Sequence, residues 1–358
     1  MSTTTGMVGH GFYDSNSAPQ GAATAAVLPW LDAAVAGMEI TDPPQTISIA
    51  DFGCSEGRNS TEVMKRLVAA LRARTDRPIA TIQSDLPTND FSGLLTALRP
   101  GGAPLLGRDV YSSILGGSMF GQLLPPRTLH LAMTFNAIGF LSRKPLDRLP
   151  GYILPNGPAR PDSAGHVTPA EQRSFADQAA ADLETFLTAR AAELVPGGKL
   201  LVEVFGATET VRTSDGIYDV LNDAVLEALS EGMIDRAAYE AYYQPVYMRT
   251  LSELTAAVAT PDAPLAHLFT LERAETYESP VSFNAFRASG GDIATYARDY
   301  TNFFRAFTEA VLCAAFPDKE PKGFADDIFA RAERMVRADP DAYPFRYVSV
   351  AMLLTRKG

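Results

Sequence analysis

The amino-acid sequence predicts an α/β fold in which a mostly parallel, doubly wound sheet carries an additional, mostly helical cap. Strand-like runs alternate with helix-like segments along the chain, as in consecutive βαβ units. Residues 47–59 (ISIADFGCSEGRN) combine a strand, a glycine turn and the start of a helix. The helical segments between residues 210 and 336 exceed what such a sheet requires. We therefore expect them to cover the carboxyl ends of the strands, where ligands bind to such sheets.

Apolar periodicity, breakers and capping residues place the individual elements. Thr168, Pro169 and Glu171 predict the start of a long helix, with Thr168 as the N-cap and Glu171 closing a capping box. The predicted strands span residues 47–51, 79–85, 128–135, 199–205, 268–277 and 347–355. The predicted helices span residues 22–38 (interrupted by Pro29), 59–74, 90–98, 168–194, 293–316 and 324–336, together with most of residues 210–259.

No Gly/Ser linker or block of charge divides the chain. Residues 1–209, 263–280 and 340–358 are predicted to form the α/β core, with residues 1–38 as an N-terminal segment over the ligand site. Residues 210–262 and 281–339 are predicted to form the helical cap.

The composition narrows the classes of function. The chain has 358 residues, of which 46% are hydrophobic, and a formal net charge of −11. It lacks a Lys/Arg-rich stripe, so we expect no nucleic-acid partner. Its two cysteines and four histidines are too scattered for a zinc site. No run approaches the roughly 18 apolar residues of a membrane span, and residues 1–9 lack the features of a secretory signal, so we expect a cytoplasmic protein.

The turn after the first strand carries the strongest functional signal. Asp51 ends the strand, and Gly53 and Gly57 bracket the turn in the spacing D-x-G-x-x-x-G. Glycine lets the main chain come close to a ligand, and the helix start that follows favours nucleotide-like groups. The spacing differs from the G-x-G-x-x-G of dinucleotide enzymes. A purely structural strand-to-helix turn is the alternative.

Asp85 ends the next predicted strand. In a doubly wound sheet an acidic residue at this point faces the ligand crevice, where its two oxygens can accept hydrogen bonds from both hydroxyls of a ribose. Alternatively, Asp85 caps the turn-rich segment LPTND at residues 86–90. Because Asp51 and the glycines lie one βα unit upstream, we favour the ribose role.

Five motifs occur in the order found in one enzyme family. They are YDSNSAPQ at residues 13–20, DFGCSEGRN at 51–59, SDLPTNDF at 84–91, GGSMFGQLLP at 116–125, and LH at 129–130 followed by FLS at 140–142. Together they resemble the SABATH family of S-adenosylmethionine (SAM)-dependent methyltransferases, which methylate the carboxylates of small acids and, in one branch, xanthine nitrogens. The resemblance implies a Rossmann-like class I methyltransferase sheet, SAM as cofactor, a small organic acid as substrate, and a homodimer.

The resemblance also implies roles for individual residues. Gln20 falls at the position of the glutamine that holds the substrate carboxylate, and with Phe140 it is our candidate catalytic residue. Cofactor contacts are implied at Ser17, Asp51, Gly53, Asn59, Asp85, Leu86, Ser118 and Met119. Substrate contacts are implied at Tyr13, Gln20, Asn136, Gly139 and Phe140.

Three of these positions depart from the family pattern. Phe140 replaces a tryptophan whose indole N–H helps to hold the carboxylate, Asn136 replaces a tyrosine, and Gly139 precedes the missing tryptophan. Phenylalanine has no donor, so Asn136 is a candidate replacement. Either the pocket has a different shape, or Phe140 belongs to the core. The cap is expected to complete the pocket with the aromatic residues Tyr218, Tyr242, Phe283 and Phe286.

Some relatives hold magnesium near a D-x-F-N-like segment, for which this chain has EAYYQP at residues 240–245. Glu240 could act as a ligand, but Tyr243 replaces the asparagine. We predict that no metal is required.

The predicted reaction is the in-line transfer of the SAM methyl group to the carboxylate of a small organic acid. A carboxylic acid with a pKa near ~4 is already ionised at neutral pH, so no general base is needed. Three alternatives stay open. They are N-methylation of a small heterocycle, a nicotinamide-dependent oxidoreductase, and a SAM-binding protein without catalytic activity.

Overall fold

The computed structural model describes residues 6–40, 46–159, 165–319 and 323–358. Its strands are β1 (Ile47–Phe52), β2 (Ile79–Asp85), β3 (Val110–Gly116), β4 (Leu129–Phe135), β5 (Leu194–Phe205), β6 (Phe269–Ser279) and β7 (Tyr347–Arg356). They form one sheet with the order β3-β2-β1-β4-β5-β7-β6. The strands from β3 to β5 are parallel, and β7 runs antiparallel between β5 and β6. The predicted α/β class with a mostly parallel sheet is confirmed.

The described helices are α1 (Phe12–Asn16), α2 (Ala18–Gly37), α3 (Arg58–Arg72), α4 (Ser92–Ala97), α5 (Pro169–Glu193), α6 (Ile217–Ser230), α7 (Arg236–Ala241), α8 (Leu251–Thr255), α9 (Ser282–Ala288), α10 (Ile293–Ala315) and α11 (Phe324–Ala338). α5 begins at the predicted capping box, in which the Thr168 hydroxyl accepts from the Glu171 N–H over 3.3 Å. α2 continues through Pro29. None of the described helices is both long and apolar enough to cross a bilayer.

Most predicted elements agree with the observed ones to within a few residues at their ends, and β2 spans the predicted residues. The prediction lacks α1, β3 and α9. β3 (VYSSILG) lies at the edge of the sheet, and only its first residue, Val110, is buried. An edge strand of this kind gives only a weak apolar signal in the sequence.

The core lies on both faces of the sheet. On β5, Leu200, Val202 and Val204 belong to one apolar cluster with residues of α5, α6, α10 and α11. Leu201 belongs to a second cluster with residues of α2 and α3. Since successive side chains of a strand point to opposite faces, a strand covered on both sides is apolar almost throughout.

The chain before β1 closes over the carboxyl edge of the parallel strands. The Gly11 and Asp14 N–H groups donate to the Glu56 carboxylate over 2.6 and 3.1 Å. The Val8 N–H donates to the Ala306 carbonyl over 3.1 Å. These bonds hold α1 between the turn after β1 and helix α10. The exact division into core and cap stays a prediction.

Candidate active site

The turn between β1 and α3 requires glycine at two positions. Gly53 and Gly57 have φ angles of +95° and +96°. A Cβ on Gly53 would lie 2.2 Å from the Cβ of Ala137, and one on Gly57 would lie 2.5 Å from Cδ1 of Leu94. Backbone conformation and close neighbours therefore both disfavour any other residue here.

Asp85 lies at the carboxyl end of β2, with its carboxylate held by two backbone groups. Its Oδ2 accepts from the Ser55 N–H over 2.6 Å, and its Oδ1 accepts from the Leu86 N–H over 2.7 Å. Burial raises the pKa of Asp85, and these two N–H groups act in the opposite direction. Each oxygen still has a free lone pair. Asp85 thus bonds the turn that follows it and also borders a cavity.

That cavity has about 730 Å³ of empty space, including its opening to solvent, and lies at the carboxyl ends of β1, β2, β3 and β4. We call it the cofactor cavity. Five of the residues with an implied cofactor role line it, namely Gly53, Asp85, Leu86, Ser118 and Met119. The other lining residues are Gly6, Met7, Tyr13, Ser55, Ser84, Gly117, Phe120, Phe135, Asn136, Ala137 and Phe140.

A second pocket, of about 380 Å³, also borders α2. It shares five lining residues with the cofactor cavity, namely Tyr13, Gly53, Ser55, Phe135 and Asn136. We call it the polar pocket. Three of its buried oxygens have no hydrogen-bond partner among the described residues: Oε1 of Gln20, Oδ1 of Asp51 and Oγ of Ser55. Burial raises the pKa of Asp51 to about 7. The pocket is therefore complementary to a ligand group that donates hydrogen bonds, such as an ammonium.

Ser17 and Asn59 lie together beside the polar pocket, although they are far apart in the sequence. The Asn59 side-chain nitrogen donates to the Ser17 hydroxyl over 3.2 Å. Asn59 lines the pocket, and Ser17 is buried behind it at the start of α2. The structure thereby brings every residue with an implied cofactor role to one region.

A third cavity, of about 400 Å³, adjoins the other two. We call it the acceptor cavity. It shares Met7, Tyr13, Asn136 and Phe140 with the cofactor cavity, and Tyr13, Gln20 and Asn136 with the polar pocket. All of its lining residues are uncharged. Five of them were predicted from the sequence, namely Tyr13, Gln20, Asn136, Phe140 and Tyr218. The sequence did not indicate the others, which are Met7, Phe205, Thr213, Ile217, Met248, Phe303, Phe307 and Tyr347.

Gly139 makes room for one of these residues. A Cβ on Gly139 would lie 2.0 Å from Cζ of Phe205. The Phe205 ring packs edge-on against Phe140, with a centroid distance of 5.8 Å. The space that a side chain at position 139 would occupy is therefore filled by the Phe205 ring of β5. No local sequence signal could reveal this contact, because Gly139 and Phe205 lie on different elements.

Asn136 is held in the left-handed region, with a φ angle of +61°. Its Oδ1 accepts hydrogen bonds from the Tyr347 hydroxyl over 2.9 Å and from the Phe205 N–H over 3.1 Å. Because the oxygen is engaged on the protein side, the amide nitrogen is the end that can donate to a ligand. This geometry suits the role of replacement donor that the sequence suggested.

Of the four aromatic cap residues expected at the pocket, Tyr218 lines the acceptor cavity and the other three lie elsewhere. Tyr242 is buried against Phe316, with ring centroids 5.4 Å apart. Phe283 packs within an aromatic group that includes Tyr300, and Phe286 is 40% exposed. None of the three is among the described residues that line the acceptor cavity. Helical periodicity shows that a residue faces inward, but it does not show toward which cavity.

Glu240 forms ion pairs with Arg236 at 3.0 Å and with Arg148 at 3.7 Å. Across the described ranges, no three His, Cys, Asp or Glu side chains are grouped so that they could hold a metal ion. The absence of a metal requirement stays a prediction.

The sequence matches the family described as SAM dependent carboxyl methyltransferase over residues 2–357. An O-methyltransferase of Aspergillus aculeatus is 30% identical over 71% of this chain and 67% of that protein. A methyltransferase of Gibberella fujikuroi is 29% identical over 69% of this chain, which spans 65% of that relative's length. A probable jasmonic acid carboxyl methyltransferase of Theobroma cacao is 24% identical over 97% of this chain and 95% of that protein.

Among solved structures, loganic acid methyltransferase with SAH matches with a TM-score of 0.79 and 22% sequence identity. The match covers 98% of this chain and 99% of that chain, so the two share their fold throughout. SAM carries an ammonium and two ribose hydroxyls, all of which donate hydrogen bonds. The ammonium is complementary to the buried oxygens of Gln20 and Asp51, and the hydroxyls are complementary to the carboxylate of Asp85. The chain belongs to the SABATH family of SAM-dependent carboxyl methyltransferases, and SAM is its cofactor.

Proposed function

We propose that this enzyme transfers the methyl group of SAM to the carboxylate of a small organic acid and releases a methyl ester. One observation carries the proposal. The acceptor cavity adjoins the cofactor cavity and the polar pocket and is lined by uncharged residues. Amide and hydroxyl groups lie where these spaces meet, from Asn136 and Tyr13, which line all three, and from Gln20, which lines the acceptor cavity and the polar pocket. Such a site can hold an anion through neutral donors while excluding water.

The proposed placement of SAM follows the positions of hydrogen-bond acceptors. Asp51 and Gln20 would hold the ammonium in the polar pocket, and Asp85 would hold the ribose hydroxyls. Ser118 and Met119 would bound the nucleoside end of the cofactor cavity. SAM supplies an electrophilic methyl group on a positively charged sulfur.

The acid needs orientation more than proton transfer. Its carboxylate is already ionised at neutral pH, so no side chain has to remove a proton. The amide nitrogens of Gln20 and Asn136 can hold one carboxylate oxygen and leave the other free to react. Burial, followed by the negative charge of Asp85, raises the pKa of Tyr13, so its phenol stays protonated and can donate as well.

An apolar environment also favours this reaction. The negative carboxylate and the positive sulfur lose their charges as the methyl group moves, so a poorly solvating site stabilises the transition state relative to the separated charges. The walls of the acceptor cavity away from the junction, including Ile217, Met248 and Phe303, provide that environment. They would contact the body of the acid.

The decisive experiment is product analysis with isotopically labelled SAM. The purified protein is incubated with a panel of aromatic and aliphatic monocarboxylic acids and, separately, with purines. We expect the acids to give labelled products, and we expect these products to hydrolyse in mild base, as methyl esters do. Base-stable products from purines alone would overturn the proposal in favour of N-methylation. Calorimetric titration should show binding of SAM and not of NAD, which tests the oxidoreductase alternative.

A further inference from the structure

A fully buried ion pair lies near the end of α5. The Arg190 Nε is 2.7 Å from Oε2 of Glu193, and its Nη2 is 3.0 Å from Oε1 of the same residue. Both side chains have no exposed surface. Burying two charges costs about as much as the pair regains, and apolar residues of similar size often stabilise a core equally well. The pair therefore calls for an explanation other than stability.

The segment between β3 and β4 provides that explanation. A connection between parallel strands usually contains a helix, which satisfies its own backbone groups. Here residues 117–128 contain neither helix nor strand. The backbone groups of this segment, which we call the β3–β4 loop, must therefore find partners elsewhere.

Arg190 and Glu193 supply four of those partners. Arg190 donates from Nη1 to the Met119 carbonyl over 2.9 Å and from Nη2 to the Gly121 carbonyl over 2.8 Å. Oε1 of Glu193 accepts from the N–H groups of Leu123 and Leu124 over 2.5 and 2.9 Å. Hydrogen bonds to charged groups are the strong ones, and this pair makes them on both sides of one loop.

The same arginine also contacts the strand that carries the glycine turn. Its guanidinium lies over the ring of Phe52 at 3.8 Å. Phe52 directly precedes Gly53, and Met119 and Ser118 belong to the β3–β4 loop. Arg190 therefore links two walls of the cofactor cavity, one formed by the turn after β1 and the other by the loop after β3.

We propose that Arg190 and Glu193 are positioning residues for SAM binding, which hold the β3–β4 loop so that Ser118 and Met119 meet the cofactor. The inference rests on the placement of SAM proposed above, but not on the identity of the acid. It implies that the ion pair matters more for cofactor affinity than for folding or for turnover at saturating SAM.

The test is the double variant Arg190→Met with Glu193→Met, which keeps the packing volume and removes the four loop bonds. The matched control is Arg331→Met, since Arg331 is a buried arginine of α11 that pairs with Asp327 and Glu231 and is not among the lining residues of any of the three cavities. We expect SAM dissociation constants and KM for SAM to rise about tenfold or more in the double variant, because small misplacements of binding groups have large effects. The kcat at saturating SAM and the KM for the acid should change much less, and the control should bind SAM as the wild type does.

Unchanged SAM affinity in a folded double variant would overturn the inference, as would a loss no greater than in the control. If the double variant does not fold, Arg190→Lys replaces it, because lysine keeps the charge but lacks the fork of donors. We then expect weaker SAM binding together with faster amide exchange in residues 117–124; wild-type values for both would overturn the inference. Asp85→Ala separates the two proposals, because unchanged affinity in that variant refutes the SAM placement itself.

Discussion

The cofactor cavity and the acceptor cavity share a wall but are built by different means. The cofactor cavity is lined largely by residues at the ends of β1, β2, β3 and β4 and in the turns that follow them. The acceptor cavity adds residues from α6, α10, β5 and β7 and from segments between them to the residues that it shares with the cofactor cavity and the polar pocket. A common cofactor is thus bound by geometry that local sequence specifies, whereas the acid is bound by contacts that only the tertiary structure creates.

This difference predicts unequal tolerance to change. In the cofactor cavity, Gly53 has both a left-handed backbone and no space for a Cβ. In the acceptor cavity, the space next to Phe140 is filled by Phe205 in the absence of a side chain on Gly139. The first arrangement permits one residue. The second is a contact between side chains of different elements, where we expect volume-conserving changes to be tolerated.

The largest expected effect comes from Gly53→Ala. We expect a loss of about 3–5 kcal/mol in the free energy of unfolding, because the new methyl group combines backbone strain with overpacking against Ala137. SAM binding should be lost with it. Denaturant unfolding and calorimetry measure the two effects.

The matched control is Gly93→Ala in α4, where a Cβ meets nothing within 4 Å and φ is not positive. It should stabilise the protein by up to about 1 kcal/mol, because alanine favours a helix. If both variants behaved alike, the contrast between the cavities would lose its main support.

The second effect concerns Glu203 on β5, a fully buried carboxyl that lies near Tyr13 and Tyr347 of the acceptor cavity. Burial raises the pKa of Glu203 to about 8. The folded protein therefore keeps a proton that the unfolded chain releases near pH ~4.5, and stability falls as pH rises through this window by at most about 1.4 kcal/mol per unit. Below about pH 4.5 the carboxyl is protonated in both the folded and the unfolded protein, and burial of Glu203 then causes no pH-dependent loss of stability.

Glu203→Gln should remove this dependence. We expect the variant to gain roughly 2–4 kcal/mol relative to the wild type between pH 5 and pH 8. Thermal unfolding at several pH values measures the gain. If the difference in stability between Glu203→Gln and the wild type stayed constant with pH, Glu203 would be ionised in the folded protein.

The third effect concerns the ribose. Asp85→Ala should weaken SAM affinity by about 2 kcal/mol, because hydrogen bonds to a charged group are lost. Asp90→Ala is the control, since Asp90 accepts from the Ser92 N–H before α4 and does not line the cofactor cavity. Equal SAM affinity in the two variants would contradict the assignment of Asp85.

The smallest effect tests the junction itself. In Gln20→Ala we expect acid turnover to fall about tenfold, or about 1.4 kcal/mol, with a smaller loss of SAM affinity. Gln20→Glu should lower turnover further, since it places a second negative charge beside the carboxylate. Steady-state kinetics with both substrates varied measures the loss of acid turnover and the loss of SAM affinity separately. Equal losses would assign Gln20 to structure or to the cofactor alone.

The sequence predicts what is local. The capping box at Thr168, the end of β2 at Asp85 and the turn at Gly53 depend on neighbours within a few residues, and all three occur as expected. It fails where side chains from distant elements converge. Phe205 and Tyr347 reach the acceptor cavity from β5 and β7, and their strand patterns indicate only that they are buried.

The placement of β7 has a consequence for synthesis on the ribosome. β7 inserts between β5 and β6, and its Tyr347 bonds to Asn136 across 211 residues of sequence. Until residues 347–356 have left the exit tunnel, β5 has an unpaired edge with apolar side chains, which can join strands of other chains. A nascent chain stalled before this strand should therefore be a substrate for chaperones and prone to aggregate.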